Sequence, residues 1–200
     1  MNLYLIRHGE TRLSEERRFC GSTDPPLSTT GVSNVEKLAH WLAAHQPLPD
    51  IVFTSPLQRA RRTAELLEPL WPAATVQVEP RVAETDFGAW EGWSGDQIQQ
   101  EDPARFARWM ADPLSFQPPG GESVAELLVR VESFLNELLA RPADKNVAIV
   151  CHGGVIRAFL LVALGLPAHL FWHFNPPWAS VSLLQMSDPI RRLHFLGQRG

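Results

Sequence analysis

The chain has 200 residues, of which 44% are hydrophobic, and a formal net charge of −4 at pH 7. This length suits a single domain with a sizeable core, and the mild acidity argues against a nucleic-acid partner or an anionic membrane surface. The two cysteines, Cys20 and Cys151, lie far apart and without the spacing of metal ligands, so a disulfide framework is not expected.

The first predicted element is a strand that ends in two polar side chains. Residues 3–6 form an apolar run with the composition of a buried parallel strand, and Arg7, His8 and Gly9 follow directly. Ligands of open α/β sheets bind beyond the carboxyl ends of the strands, and glycine allows a sharp turn and a close approach of the ligand. A cation beside an imidazole at this place suits an anionic substrate, although a loop with a surface arginine and an incidental histidine has the same local pattern.

A loop, a long helix, a strand and a second helix are predicted next. Residues 20–27 are rich in glycine, proline and aspartate, which is typical of a loop. Residues 28–44 begin with a capping serine and keep an apolar face at helical spacing, and residues 51–54 form the second strand. Because proline is tolerated at a helix start, residues 56–67 are expected to be helical. Arg59 then falls near the first turn, where free N–H groups and the helix dipole favour an anion.

The middle of the chain combines a possible third strand with an insertion and a strongly amphipathic helix. Residues 76–78 suit a short strand, and Glu84 follows in a loop rich in glycine and tryptophan. A carboxylate at this position has two interpretations: it caps the helix that starts near Ser94, or it acts on a substrate. Residues 94–121 are expected to form an insertion with a short helix and a loop, and residues 122–140 a helix whose apolar stripe belongs to the core.

The pattern of the first strand returns late in the chain. Residues 146–151 are an apolar run that ends in His152 and Gly153, and a helix is predicted over residues 155–164. Two strand-end histidines, each followed by glycine, are placed to lie side by side if the two strands are neighbours. His152 is therefore a candidate partner of His8, with a buried, hydrogen-bonded strand-end histidine as the alternative.

The tail is aromatic and then strand-like. Residues 171–178 contain several aromatic side chains, most of which are expected in the core and some near a pocket. Residues 181–186 and 193–196 predict two edge strands that form an antiparallel hairpin.

Four motifs together resemble those of the histidine phosphatase superfamily, the phosphoglycerate mutase-like proteins. They are RHGET at residues 7–11, SPLQRARRT at residues 55–63, ETDFGAWEG at residues 84–92 and HGG at residues 152–154. The resemblance covers residues 3 to about 165 and implies an α/β fold, a three-layer sandwich with a mostly parallel sheet and helices on both faces. It also implies that residues 1–200 are one domain, with the insertion at about 94–121 near the mouth of the active site.

The resemblance implies a catalytic role for five residues. His8 would be the nucleophile that forms a phosphohistidine, and Glu84 would protonate the leaving group. Arg7, Arg59 and His152 would bind the phosphoryl group and stabilise its charge during transfer. Two arginines meet the charge of a phosphate without a metal ion, and the sequence has no clustered aspartates of the kind that magnesium prefers. No cofactor is therefore expected.

Further substrate contacts are predicted around this centre. The backbone N–H of Gly153 is a donor for the phosphate. The family often has an asparagine near position 14, where this chain has Ser14, whose hydroxyl can still donate a hydrogen bond. Ser22 and Thr23 resemble the family's loop at the rim of the pocket, and ordinary turn residues are an equal alternative for both.

Three functions are compatible with these motifs: a phosphomonoesterase, a phosphoglycerate-type mutase, or a binding protein that has lost catalysis. All the catalytic residues are present, and the short segment between Asp86 and Leu114 favours hydrolysis because water must reach the phosphohistidine. Within the family, overall likeness is to the α-ribazole phosphatases of cobalamin nucleotide-loop assembly. A broad sugar-phosphate phosphatase or a fructose-2,6-bisphosphatase-like enzyme is the alternative.

The expected partner is a small-molecule phosphate ester. No apolar stretch reaches the roughly 18–20 residues of a membrane span, and the sequence begins directly with a core strand instead of a signal peptide. We therefore expect a cytoplasmic protein. The sequence leaves the oligomeric state open, a homodimer included.

Overall fold

A computed structural model describes residues 1–142, 145–187 and 189–200. This part of the chain contains one six-stranded sheet in the order β3-β2-β4-β1-β5-β6. The strands are β1 (Asn2–Arg7), β2 (Ile51–Thr54), β3 (Thr75–Val78), β4 (Asn146–Cys151), β5 (Ser180–Met186) and β6 (Arg191–Gln198).

The sheet is mostly parallel, as predicted. Strand β4 pairs in parallel with both β1 and β2, and β2 pairs in parallel with β3. The last two strands form the predicted antiparallel hairpin, but the prediction of two edge strands was wrong for the first of them. Strand β5 lies inside the sheet because it also pairs antiparallel with β1, so only β6 is an edge.

Helices cover both faces of the sheet. They are α1 (Arg12–Glu15), α2 (Thr29–His45), α3 (Gln58–Leu67), α4 (Gly95–Glu101), α5 (Pro103–Ala111), α6 (Val124–Leu139) and α7 (Gly153–Leu164). The oxygen of Ser28 caps α2 as expected, whereas α3 begins two residues after Pro56 because Leu57 is still extended. Helix α7 begins earlier than predicted, so that His152 is its N-cap residue.

The core has two layers because both faces of the central strands are covered. On β1, Leu3 and Leu5 pack on the side of α6 and α7, while Tyr4 and Ile6 pack on the side of α2 and α3. Successive side chains of a strand point to opposite faces. Burial on both faces therefore explains why the apolar run shows no polar alternation.

A smaller aromatic core connects the insertion to the rest of the molecule. Trp90, Ile98 and Trp109 are buried together, and Phe19 and Trp172 pack against them. The ring centroids of Trp109 and Trp172 are 4.7 Å apart. This contact brings the insertion against the tail of the chain. Among the described residues, no helix is long and apolar enough to cross a membrane.

Candidate active site

The two strand-end histidines meet at the carboxyl edge of the sheet. The register of the parallel pair places Arg7 opposite Cys151, so the next residues, His8 and His152, are neighbours. The backbone N–H of His8 donates to the Cys151 carbonyl at 3.0 Å, and the two imidazole centroids are 5.0 Å apart. Parallel strands end at the same edge of a sheet, which is why residues so distant in sequence come into contact.

His8 is held in one orientation by its own turn. Its Nδ1 lies 2.6 Å from the carbonyl oxygen of Gly9, and because a carbonyl only accepts, Nδ1 is assigned the proton. This leaves the lone pair on Nε2. Burial, followed by the charges of Arg59 and Arg7, holds the pKa of His8 well below its usual 6.5. The imidazole is therefore neutral at physiological pH, as a nucleophile requires.

His152 is fully buried and oriented by the neighbouring strand. Its Nε2 lies 2.7 Å from the hydroxyl oxygen of Ser55, which follows β2 directly. If that hydroxyl donates, Nδ1 carries the proton, and Nδ1 has no partner among the described residues. Burial, with the nearby Arg59 charge, also holds the pKa of His152 well below 6.5. Ser55 was not predicted as a site residue, although it stands in the second motif.

Arg7 is fixed by contacts with the tail. Its Nη1 donates to the carbonyl of Pro176 at 2.6 Å, and its guanidinium carbon lies 4.4 Å from the centroid of the Trp178 ring. The Nε atom is buried without a partner in the described part of the chain. Burial lowers the pKa of Arg7 to about 10, so the side chain stays charged at neutral pH.

Arg59 has a larger structural role than the sequence suggested. It is wholly buried and donates to the carbonyl oxygens of Cys20, Gly21 and Thr23, and Asp24 lies 3.3 Å from its Nη1. It therefore anchors the predicted loop at residues 20–24. The Nε atom of Arg59 is buried and has no partner among the described residues. Its charge is close enough to lower the pKa values of both site histidines.

Glu84 bridges its own loop and the start of α7. One carboxylate oxygen accepts from the N–H of Thr85 at 3.0 Å, and the other accepts from the N–H of Gly154 at 3.2 Å. The alternative that Glu84 caps the helix at 94 is wrong, because the hydroxyl of Ser94 performs that function. A Cβ atom on Gly154 would lie 2.4 Å from the Glu84 carboxylate, so this approach requires glycine.

Gly153 is placed for an anion at the start of α7. It lines the cavity described below, and the helix has no side-chain cap. A Cβ atom on Gly153 would lie 3.0 Å from the guanidinium carbon of Arg7. The helix N-terminus and the arginine therefore meet at one point, a combination that favours a phosphate.

Ser14, the predicted substitute for the family's asparagine, lines the cavity but uses its hydroxyl locally. That hydroxyl donates to the carbonyl of Thr11 and accepts from the N–H of Thr11, both at 2.8 Å. Its single proton is thus engaged with the Thr11 carbonyl, while its oxygen is the acceptor in the capping box of α1. A direct bond from Ser14 to a phosphate would first have to break this contact.

The two predicted rim residues do not line the cavity. The backbone N–H groups of Ser22 and Thr23 donate to the carboxylate of Glu91, as do those of Gly21 and Phe87. The hydroxyl of Ser22 donates to Asp86. Glu91 therefore ties two loops together. Cys20, two residues before Ser22, does line the cavity.

The active-site cavity, of about 160 Å³, is large enough for a leaving group of several heavy atoms. Its lining residues are Arg7, His8, Thr11, Ser14, Arg18, Phe19, Cys20, Glu84, Thr85, Phe87, Trp109, Val124, Gly153, Gly154, Arg157, Phe171, Trp172 and Trp178. Arg59 and His152 are buried outside this lining. Of the aromatic tail at residues 171–178, Phe171, Trp172 and Trp178 line the cavity, and Phe174 does not. Trp109 of the insertion also lines it, whereas Phe116 does not. No sequence pattern indicated Arg157, which is the only charged residue of the otherwise apolar helix α7.

No set of metal ligands is evident in this part of the molecule. Among the residues that the structure describes, no group of three or more histidine, cysteine, aspartate or glutamate side chains could hold a metal ion. That catalysis needs no metal or cofactor stays a prediction.

The buried histidines give a testable dependence of stability on pH. Their folded pKa values lie below the unfolded value near 6.5, so below that pH the unfolded chain binds protons that the folded chain does not. Stability is therefore lost as pH falls, by about 1 kcal/mol per histidine between pH 6.5 and 5.5. Urea unfolding at both pH values should show a smaller loss for His8→Asn and for His152→Asn than for the unchanged protein. Equal losses would mean that neither histidine is kept neutral by folding.

Comparison with known proteins agrees with this geometry. A family model described as the histidine phosphatase superfamily (branch 1) matches residues 3–198. The chain is 33% identical over 191 residues to phosphoserine phosphatase 1 of Hydrogenobacter thermophilus, covering 94% of this chain and 88% of that protein. It is 31% identical over 201 residues to adenosylcobalamin/alpha-ribazole phosphatase of Escherichia coli, covering 100% and 97%. The alpha-ribazole phosphatase structure from Shigella flexneri matches with a TM-score of 0.88 at 30% identity, covering 99% and 96%.

Proposed function

The chain belongs to the histidine phosphatase superfamily (branch 1) and is a phosphatase, and we propose that it hydrolyses phosphate monoesters through a phosphohistidine at His8. The observation that carries this proposal is the neutral His8 imidazole beside Arg7, whose buried Nε has no partner in the described part of the chain. Both side chains line the active-site cavity. Buried polar groups are normally hydrogen-bonded, so an oxyanion beside His8 would give Nε of Arg7 the partner that the protein leaves open. The charge of the buried Arg59 is close enough to act on the same site.

The charges fit a phosphate monoester. Its dianion carries two negative charges, and Arg7 and Arg59 supply two positive ones. The backbone N–H of Gly153 at the start of α7 adds a donor that does not ionise, whereas the N–H of Gly154 is bonded to Glu84. Phosphoryl transfer depends mainly on positioning and charge stabilisation, which such a fixed set provides.

The reaction follows in two steps. Nε2 of His8 attacks phosphorus and the P–O bond to the alcohol breaks, while Glu84 in its acid form gives a proton to the departing oxygen. Water then attacks the phosphohistidine, Glu84 takes a proton from it, and the P–N bond breaks to release inorganic phosphate. The carboxylate of Glu84 lies between its loop and Gly154 at the cavity wall, which supports both proton transfers.

Two classes of substrate are candidates. The first is α-ribazole 5′-phosphate, supported by the likeness to proteins named alpha-ribazole phosphatases and by the aromatic wall of the cavity. An aromatic base that stacks on the half-buried Trp172 or Trp178 would gain about 0.5–1.5 kcal/mol from each contact. Cobalamin nucleotide-loop assembly would be the corresponding pathway, and a cytoplasmic location would accord with it.

The second class is phosphate esters of small hydroxy acids. It is supported by the likeness to phosphoserine phosphatase 1 and by one specific observation, the presence of Arg157 in the cavity wall.

A panel of esters tests the proposed function. We expect release of inorganic phosphate from p-nitrophenyl phosphate, α-ribazole 5′-phosphate, 3-phosphoglycerate and fructose 2,6-bisphosphate at measurable rates. A kcat/KM for α-ribazole 5′-phosphate at least tenfold above all the others would select the first class, since about 1.4 kcal/mol is a factor of ten. Similar values throughout would indicate a broad phosphatase, and no release from any ester would refute the proposal.

A further inference from the structure

We propose that Arg157 is a specificity-determining residue that binds a second negatively charged group, carried by the leaving group of the substrate. The inference rests on the proposed hydrolysis of phosphate esters and refines its substrate class. An Arg157 with this role would make the enzyme prefer esters of hydroxy acids to esters of neutral alcohols. α-Ribazole 5′-phosphate belongs to the second group.

Arg157 lies one helical turn beyond the expected phosphate position. It follows Gly153 by four residues on α7, which corresponds to about 6 Å along the helix axis and to the same helix face. Side chains of a helix lean toward its N-terminus, so the side chain of Arg157 extends back toward Gly153. Both residues line the active-site cavity. A group bound to Arg157 would therefore lie a few bonds from the ester oxygen.

The guanidinium group is held in place before any ligand binds. Its Nε donates to the carbonyl oxygen of Phe174 at 2.7 Å. Its central carbon lies 5.3 Å from the centroid of the Trp172 ring and 5.6 Å from that of Phe171. The two terminal nitrogens have no hydrogen-bond partner among the described residues. Two terminal nitrogens that are held in place and have no partner are suited to a carboxylate or a second phosphate, which can accept from both.

The charge of Arg157 is not compensated in the described part of the protein, where it forms no salt bridge. Arg18, another cation of the same wall, is paired with Glu16 at 2.7 Å. Burial lowers the pKa of Arg157, and only the more distant charge of Glu84 opposes this effect. Glu84 must be in its neutral acid form when it protonates the leaving group, and the Arg157 charge is then unmatched.

Arg157 is half-buried, so its unmatched charge is only partly hydrated and attracts an anion that enters the cavity. Arg7 meets the start of α7 at Gly153, where the phosphate is expected, whereas Arg157 lies one helical turn further along α7. The negative group that reaches Arg157 therefore belongs to the leaving group, two or three atoms from the ester oxygen. A carboxylate at the second carbon has this spacing.

A matched pair of substrates tests this inference directly. 3-Phosphoglycerate and glycerol 3-phosphate have the same three-carbon skeleton, but only the former has a carboxylate. We expect kcat/KM for 3-phosphoglycerate to be at least about tenfold higher, because hydrogen bonds between charged groups are stronger than those between neutral ones. Equal values for the two esters would overturn the inference while leaving the hydrolase intact.

Three variants assign the preference to Arg157. In Arg157→Gln the ratio of the two kcat/KM values should fall to about one, while p-nitrophenyl phosphate hydrolysis stays within about threefold. Arg18→Gln removes one charge from the same wall and should keep the ratio, because Glu16 already neutralises that charge. Arg157→Lys keeps the positive charge but loses the paired N–H donors of the guanidinium, so it should give an intermediate ratio. This variant also tests the inference if Arg157→Gln fails to fold.

The outcomes separate the inference from the proposed function. An equal loss on all three esters in Arg157→Gln would mean that Arg157 serves the shared phosphate chemistry, and this would overturn the inference. A ratio unchanged in both Arg157 variants would overturn it as well. Failure of the unchanged protein to hydrolyse any ester would instead refute the proposed function on which the inference depends.

Discussion

Replacing His8 with asparagine is expected to lower kcat/KM for every ester by at least about 10⁴-fold, because loss of a covalent nucleophile costs on the order of 10⁴–10⁶-fold. Asparagine preserves a donor toward the Gly9 carbonyl, which Nδ1 now contacts at 2.6 Å. The substitution therefore removes Nε2 while the turn remains. Steady-state assays of the panel would give the loss for each ester.

A labelled substrate locates the phosphoryl group. Rapid denaturation during turnover should trap an acid-labile, base-stable label on the peptide that contains His8. His152→Asn is the matched control, since its ring is 5.0 Å away and should bind the phosphoryl group without carrying it. That variant should be slow yet still labelled at His8. Label on His152, or on no histidine, would contradict the assignment.

Replacing Glu84 with glutamine is expected to slow the hydrolysis of alkyl phosphates by about 10²–10⁴-fold and that of p-nitrophenyl phosphate by less than tenfold. An alkoxide leaves only with a proton, whereas a nitrophenolate leaves without one. The glutamine oxygen can still accept from the N–H of Thr85 or Gly154, which the carboxylate contacts now. The difference between the two kinds of ester therefore measures proton transfer and not the loss of a structural contact.

Glu91 provides the matched control for this experiment. It is a second carboxylate in the same motif, but it accepts hydrogen bonds from Gly21, Ser22 and Phe87 and does not line the cavity. Glu91→Gln should lower stability and affect both kinds of ester to the same extent. If Glu84→Gln behaved in the same way, its role would be structural.

The proposed role of Arg157 bears on how relatives with one phosphate site select different esters. The proposed phosphate donors lie at strand ends and helix starts, and the fold fixes their positions. The cavity wall beyond them is built from the insertion and the tail, where Trp109 and Trp172 meet. Substitutions in this wall can change the leaving group that binds without a change in the phosphate chemistry.

Local pattern was enough to predict the centre of the site. Apolar runs that end in histidine and glycine identify buried parallel strands, and parallel strands end at a common edge. The sequence therefore predicted that His8 and His152 lie side by side. Their strands are far apart in the chain, since the paired residues Asn2 and Asn146 are 144 positions apart. The resemblance of the four motifs supplied roles for these residues and for Glu84.

The sequence by itself thus determined the fold class, the order of most helices and strands, and the meeting of His8 with His152 at one edge of the sheet. Only the tertiary structure decided which side chains remain available. It engages Ser14 with Thr11, and it directs the amides of Ser22 and Thr23 to Glu91. It also leaves Arg157 without a salt bridge among the described residues. The physical reason is that hydrogen-bond and charge partners are set by long-range packing, which local periodicity does not encode.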